Sequence, residues 1–458
     1  MKPTSPEMEI PTVADEPESR PGGIPLYVWV IIAAVLAVPL GLAMHQSASL
    51  PDSVTQWLPV PASFDIFPNL IIRALKMLAT PLVVLAILSA IVTNDVRGLQ
   101  GARMMLYYLI NTIVAITIAL VLANVIQPGK GVDAITSAVT EAPSEPKGLV
   151  KILEELVPES IGDAFVRNNL AQLVLVTLAL GIGLNQIRRE QQARGETSYK
   201  AVLDVVTVGF ELLMKVLLWV VALVPIAVFG VVASNIGRRG LGVFAELGWF
   251  IAVVLIGLAC QILWYLGQLA VFARMSPWKF LRGASNVMAT SFSTASTGAT
   301  MPFTLKALMG PLGISRQSSQ LAACVGTNFN NDGTALYQAA VVLFFAQALG
   351  RSLSFGDQLV IVVTTVLASI GAGCIPSGGF VTLPLIFAAV KLPADSLPLI
   401  LTVDWFLDRC RTSSNVLGDM TVAVLLDQTA DLRVPPTLWE SESLGEAKTI
   451  FSTHDGNS

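Results

Sequence analysis

Apolar runs at about 24–45, 70–94, 104–126, 168–186, 202–234 and 247–273 each approach or exceed the ~20 residues that cross a bilayer. In lipid, a chain satisfies its own backbone amides only as helix or as closed barrel, and runs of this length choose helix. The sequence is therefore that of an all-α integral membrane protein. Composition agrees, with 53% hydrophobic and 13% charged residues. The net charge of −4 offers nothing to a nucleic acid.

Residues 1–23 are acidic and proline-rich, without the basic segment that precedes the apolar core of a signal peptide, and read as a disordered tail. From 428 to 458 the chain turns polar again and reads as a second tail. Lys and Arg collect in 94–103, 185–200 and 272–283, whereas 45–65 has none, which puts the basic loops and both termini on the cytoplasmic side. Arg238 and Arg239 depart from this pattern. Cys260, Cys324, Cys374 and Cys410 lie in apolar segments without metal-like spacing and read as small buried hydrophobes.

The C-terminal third follows another rule. Its apolar stretches are interrupted by small and polar residues at 289–302 ("ATSFSTASTGATMP") and 368–379 ("ASIGAGCIPSGG"). Non-helical backbone survives at membrane depth only where protein buries it or water reaches it, so both are candidate re-entrant hairpins. Each precedes a helix that carries polar residues. Two broken segments in corresponding places point to a transporter built from inverted repeats, with its site near the midplane. The competing reading is that the clusters are small residues at close helix contacts.

On a helix spanning 398–426, Asp404, Asp408, Arg411, Asn415 and Asp419 fall within an arc of roughly 80°, with Thr412 at its border and Arg409 about 100° from Asp408. An ionised group at a helix centre costs on the order of 2.5–3.5 kcal/mol, so this stripe faces protein, water or ligand. The acids and Arg411 could neutralise one another as an internal ladder. Three acids against one aligned arginine leave negative charge over, which mobile cations would match. Upstream, "VGTNFNNDGT" gathers Asn328, Asn330, Asn331, Asp332 and Thr334 around Gly333, disfavouring continuous helix and supplying the oxygen ligands that hard cations such as Na⁺ prefer.

These residues resemble the dicarboxylate/amino acid:cation symporters, the glutamate transporter family, from about residue 25 to 427. "FNNDGTALYQ" is similar to the family's NMDGT motif, "SFSTASTGATMP" to its serine-rich hairpin, "ASIGAGCIPSGG" to its second hairpin tip and "DWFLDRCRTSSNVLGD" to its last helix. The resemblance implies eight transmembrane helices plus two re-entrant helical hairpins, assembled as a homotrimer. A scaffold at about 24–94 and 168–234 would hold a moving transport domain at about 102–126 and 247–427.

The resemblance also implies roles. Arg411 would take the side-chain carboxylate of an acidic substrate and Asp408 its amino group, with Asn415, Thr412, Thr334 and the hairpin tips at Ser296, Thr297, Ile375 and Gly379 completing the pocket. One cation would sit among Gly326, Asn330, Asn415 and Asp419, and another among Tyr108, Asn111, Thr112, Asn330 and Asp332. A third would use oxygens near Asn328, Asn331, Ser369, Ile370 and Ala372. An acid at position 408 repels a second carboxylate, so aspartate or glutamate is expected ahead of C4-dicarboxylates. Na⁺ is the expected coupling ion and H⁺ the alternative, because Asn331 replaces the motif's methionine and Asn111 and Asn328 replace threonines. Gln338 stands where animal relatives carry a proton-linked glutamate; with the compact loops it points to a bacterial inner membrane. Arg409, with Ala295 in the first hairpin, relocates a charge that some relatives place in that hairpin.

Two other classes stay in view. An intramembrane serine enzyme would need a base near "SFSTASTG", and the sequence has only His45 and His454. A passive channel also lines its path with charge.

Overall fold

The computed structural model describes residues 26–47, 60–93, 98–132, 157–166, 170–372 and 378–429. The two tails as far as residue 25 and from 430 on, Cys374 and Ile375 lie outside them. The described residues form α1 (Leu26–His45), α2 (Ile66–Thr93), α3 (Gly98–Ile126), the single-turn α4 (Ile161–Val166), α5 (Leu170–Ala193), α6 (Tyr199–Val221), α7 (Val224–Arg239) and α8 (Gly242–Val271). They continue with α9 (Pro277–Thr294), α10 (Thr297–Met309), α11 (Arg316–Phe329), α12 (Asp332–Ala348), α13 (Phe355–Ala372), α14 (Gly378–Ala389) and α15 (Leu401–Thr429).

Five stretches are long and apolar enough to cross a bilayer: Val28–His45, Pro61–Ser89, Leu99–Ile126, Tyr199–Arg238 and Leu247–Val271. The chain is thus a multi-pass, all-helical membrane protein. α15 has the length but not the composition, because its charged stripe interrupts it. The run expected as one span at 202–234 is two helices. Pro225 at the start of α7 lacks an amide hydrogen and ends α6 before it.

Helix contacts fall into two groups. α1 lies along α7, and α2 touches α5, α6 and α7. Elsewhere α15 is surrounded by α8, α9, α11 and α12, while α3 lies against α8 and α12. α13 and α14 reach α2, and α15 reaches α7, joining the groups. Arg238, the exception in the loop charge count, ion-pairs with Asp65, whose other oxygen accepts from Ser234 at 2.7 Å. Its charge is answered at that end of the molecule. Cys260, Cys324 and Cys410 are free thiols and only half-buried, so the expectation of buried cysteines does not hold for these three. Each sits on a helix face that packing covers in part.

The breaks in the C-terminal third are sharp. α9 stops at Ala295, whose backbone is left-handed (φ 51°), and Ser296 opens α10 by accepting from Ala299 N at 3.2 Å. α11 stops at Phe329; Asn330 and Asn331 leave helical geometry, and α12 begins at Asp332. Between them these two interruptions involve four helices, α9 to α12, all of which pack on α15.

Gly129 fixes how closely the end of α3 approaches α12. Its amide donates to Gln347 Oε1 at 3.1 Å, Gln347 Nε2 donates to Ala123 O at 2.8 Å, and a Cβ at Gly129 would stand 2.1 Å from Phe344 O. Gly129→Ala must push two backbones apart, and we expect a loss of about 1–3 kcal/mol, read as a lower melting temperature of the detergent-purified protein.

Candidate functional site

α15 carries the stripe on a single helix, and nearly all of it is inside. Arg411 is fully buried, Asp404, Asn415 and Asp419 are buried, and Asp408 is half-buried. Arg411 Nη1 donates to Asp404 Oδ1 at 3.0 Å and Nη2 to Asp408 Oδ1 at 2.5 Å, so one guanidinium serves two acids of its own helix. Its Cζ lies 3.8 Å above the centre of the Tyr337 ring. Its Nε–H is buried with no hydrogen-bond partner. The internal ladder is thus real for Asp404 and Asp408, and it does not reach Asp419.

Asp419 finds its donor on the neighbouring helix. Asn330 Nδ2 donates to Asp419 Oδ1 at 2.8 Å and to Asn415 O at 3.2 Å. Gly326 on α11 makes room for this, since a Cβ there would stand 2.1 Å from Asp419 Oδ1 and 2.7 Å from Tyr108 Oη. Asn415 joins the unwound segment to α15, accepting from Gly333 N at 2.8 Å and donating to Thr334 Oγ1 at 3.2 Å and Asn331 Oδ1 at 3.3 Å. Asn331 Nδ2 in turn donates to Ser369 O at 3.1 Å and to Asn328 O at 3.5 Å, bringing these three residues beside the end of α13, where Ile370 and Ala372 follow.

Asp332 is the fourth carboxylate of the cluster and is fully buried. Thr112 donates to its Oδ1 at 2.7 Å and Tyr265 to its Oδ2 at 2.8 Å. Tyr108, one helical turn before Thr112, donates to Ala322 O at 2.8 Å. Asn111, expected beside Asp332, turns the other way. Its Oδ1 accepts from Trp264 Nε1 at 2.9 Å and Gln268 Nε2 at 2.8 Å, two donors on α8 that hold it there.

The starts of α10 and α14 also border the cluster. Thr297 Oγ1 donates to Thr327 O at 3.4 Å, which sets the first interruption against α11. A Cβ on Gly379 would be 2.9 Å from Thr334 Cγ2 and 3.3 Å from Arg411 Nη1, so the start of α14 lies on the guanidinium. Gln338 Nε2 holds that start by donating to Gly379 O at 3.0 Å and Thr382 Oγ1 at 2.5 Å. Thr412 donates to Asp408 O at 2.8 Å and lies beside the pair. Ile375 falls outside the described residues.

The arrangement is a largely buried cluster of four carboxylates, two guanidinium groups and many neutral oxygens, bordered by the ends of broken helices. It can hold a charged solute and small cations. Residues 26–429 match the sodium:dicarboxylate symporter family. The chain belongs to that family. It is a cation-coupled symporter of the membrane and not an enzyme. Similar proteins include an excitatory amino acid transporter of Caenorhabditis elegans (32% identical, over 77% of this chain and 79% of that one). Others are the neutral amino acid transporter B(0) of Bos taurus (30%, 90% and 83%) and C4-dicarboxylate transport protein 3 of Ralstonia nicotianae (30%, 86% and 86%).

Sequence reasoning missed the wall on α8, where Gln261, Trp264, Tyr265 and Gln268 face the cluster from a span read as plain apolar. It also left the target of Arg409 open. Arg409 Nη1 donates to Phe292 O at 3.0 Å and Ser293 O at 2.6 Å, tying α15 to the carbonyl end of α9. In the symporter, Arg409→Ala should release that end. We expect faster amide hydrogen exchange across 289–296 with α12 unchanged, and equal exchange in both proteins would contradict the tether.

Proposed function

We propose that this symporter carries acidic amino acids, aspartate or glutamate, together with Na⁺. The observation that carries the reading is the Arg411–Asp408 pair. A guanidinium with a spare Nε–H and a half-buried carboxylate stand side by side on one helix face, under the start of α14 and beside Thr334 and Thr412. An acidic amino acid matches this with its side-chain carboxylate on Arg411 and its ammonium on Asp408, leaving the α-carboxylate to amides of the first interruption at Ser296–Thr297 and of the second near Ile375–Gly379. A neutral amino acid leaves Arg411 without its carboxylate, and a C4-dicarboxylate brings Asp408 a repulsion.

Cations are assigned to the oxygen clusters described above. One lies at Gly326, Asn330, Asn415 and Asp419; one at Tyr108, Thr112, Asn330 and Asp332, with Asn111 at its edge; and one at Asn328, Asn331, Ser369, Ile370 and Ala372. Na⁺ suits sets made of carboxylate, amide and carbonyl oxygen. H⁺ coupling is the competing reading, favoured by the asparagines at 111, 328 and 331.

The helix contacts support a division of labour. α1, α2 and α5–α7 form a scaffold, and α3 with α8–α15 moves against it as an elevator. The two interruptions act as re-entrant hairpins within a fold of eight spans, three chains form the assembly, and both termini face the cytoplasm of a bacterial cell. The C4-dicarboxylate reading has the Ralstonia relative on its side.

Uptake of labelled aspartate, glutamate, succinate and serine into proteoliposomes under Na⁺ or H⁺ gradients separates these alternatives, and accumulation against a gradient separates a symporter from a channel. Arg411→Cys should abolish acidic-substrate uptake and admit serine; retained aspartate transport would contradict the assignment. Asp408→Ser should lower aspartate uptake relative to succinate by about tenfold or more, the scale of one lost charge-assisted bond.

A further inference from the structure

α8 supplies none of the ligands assigned so far, yet it turns a polar face inward. Gln261, Tyr265 and Gln268 recur at four- and three-residue spacing and share one side of the helix, and all three are buried. Tyr265 spends its proton on Asp332 Oδ2, opposite Thr112 on Oδ1, so its phenol oxygen keeps lone pairs for the groups gathered around it, here called the chamber. The same hydroxyl faces the side chains of Gln261 and Ser414. A Cβ on Gly418 would lie 2.9 Å from it and 2.6 Å from Asn330 Nδ2, so it also reaches the edge of the Asn330–Asp419 pair.

Around this hydroxyl, three oxygens are buried without a hydrogen-bond partner: Gln261 Oε1, Ser414 Oγ and Asn330 Oδ1. A fold rarely keeps several such atoms in one place unless something binds them. What remains uncommitted there is acceptor capacity, next to one carboxylate. Among the described residues no group of three or more His, Cys, Asp or Glu could hold a metal ion, so the chamber lacks the charge of a divalent site. Neutral oxygens with a single carboxylate suit a hard monovalent cation. Meanwhile Asn111 Oδ1 already accepts two hydrogen bonds from α8 and has no lone pair left for a cation near Asp332.

We propose that Gln261, Tyr265 and Ser414 join Asp332 in a monovalent-cation site on the α8 side of the chamber, taking over the part that Asn111 has given up. The inference rests on the Na⁺-coupled reading above and adds to it a ligand set drawn from a helix that reading leaves out.

The test uses the full chain as wild type, Ser414→Ala and Tyr265→Phe. Na⁺ is titrated against choline in two assays: thermal unfolding without substrate, and labelled aspartate uptake into proteoliposomes. Both variants should raise the half-saturating Na⁺ concentration about tenfold, while aspartate half-saturation at saturating Na⁺ moves less than about twofold. Should Tyr265→Phe fail to give monodisperse protein, Ser414→Ala decides, because it leaves the Tyr265–Asp332 hydrogen bond in place. Wild-type Na⁺ titrations in the variants would mean that the oxygens hold water only, and would overturn the proposal while leaving Na⁺ coupling intact. Wild-type protein without Na⁺-driven aspartate uptake would instead refute the Na⁺-coupled, acidic-amino-acid reading on which it stands.

Discussion

Four carboxylates, Asp332, Asp404, Asp408 and Asp419, stand at the centre of a helical bundle whose outside is lipid-facing, and the structure is arranged so that each has a donor. Asp404 and Asp408 take Arg411, Asp419 takes Asn330, and Asp332 takes Thr112 and Tyr265. Breaking such an arrangement by removing one partner costs several kcal/mol, far more than the pair adds over an apolar substitute. That asymmetry explains why elements from α3, α8, α11 and α12 all converge on α15. One of those donors, Asn330, stands at the break between α11 and α12, which is how its side-chain amide comes to face Asp419.

The same requirement separates two kinds of negative charge. Asp404 and Asp408 are answered by a full positive charge on their own helix. Asp332 and Asp419 are answered by neutral donors alone, which share a carboxylate's charge without cancelling it. The two kinds lie close together and are joined by Asn415, which touches Gly333, Thr334 and Asn331 at once.

Much of this was legible in the sequence. The five-residue stripe of α15 follows from helical spacing alone, and the breaks at 295–296 and 330–331 follow from clustered Ser, Thr, Asn and Gly within apolar surroundings. The division of 202–234 was also written there, in Pro225, but the unbroken apolar composition concealed it. The α8 wall was the harder case. Gln261, Tyr265 and Gln268 are three residues in a span otherwise almost wholly apolar, and their only sequence signal is the four- and three-residue spacing that a search for charges passes over. The direction of Asn111 could not be read at all, since a rotamer chosen by Trp264 and Gln268 depends on which helix lies alongside. Arg409 gave its angular offset but not its target, for a related reason: the carbonyls of Phe292 and Ser293 belong to every helix end and carry no residue code.

Arg411 is never idle. With Asp404 and Asp408 both bonded to it and Tyr337 beneath it, a carboxylate arriving as the proposed function has it would not find a bare charge but would trade places with one already present. Loading would then be a swap of like for like. A carrier gains from that: what is taken up on one side can be let go on the other without climbing out of a deep well.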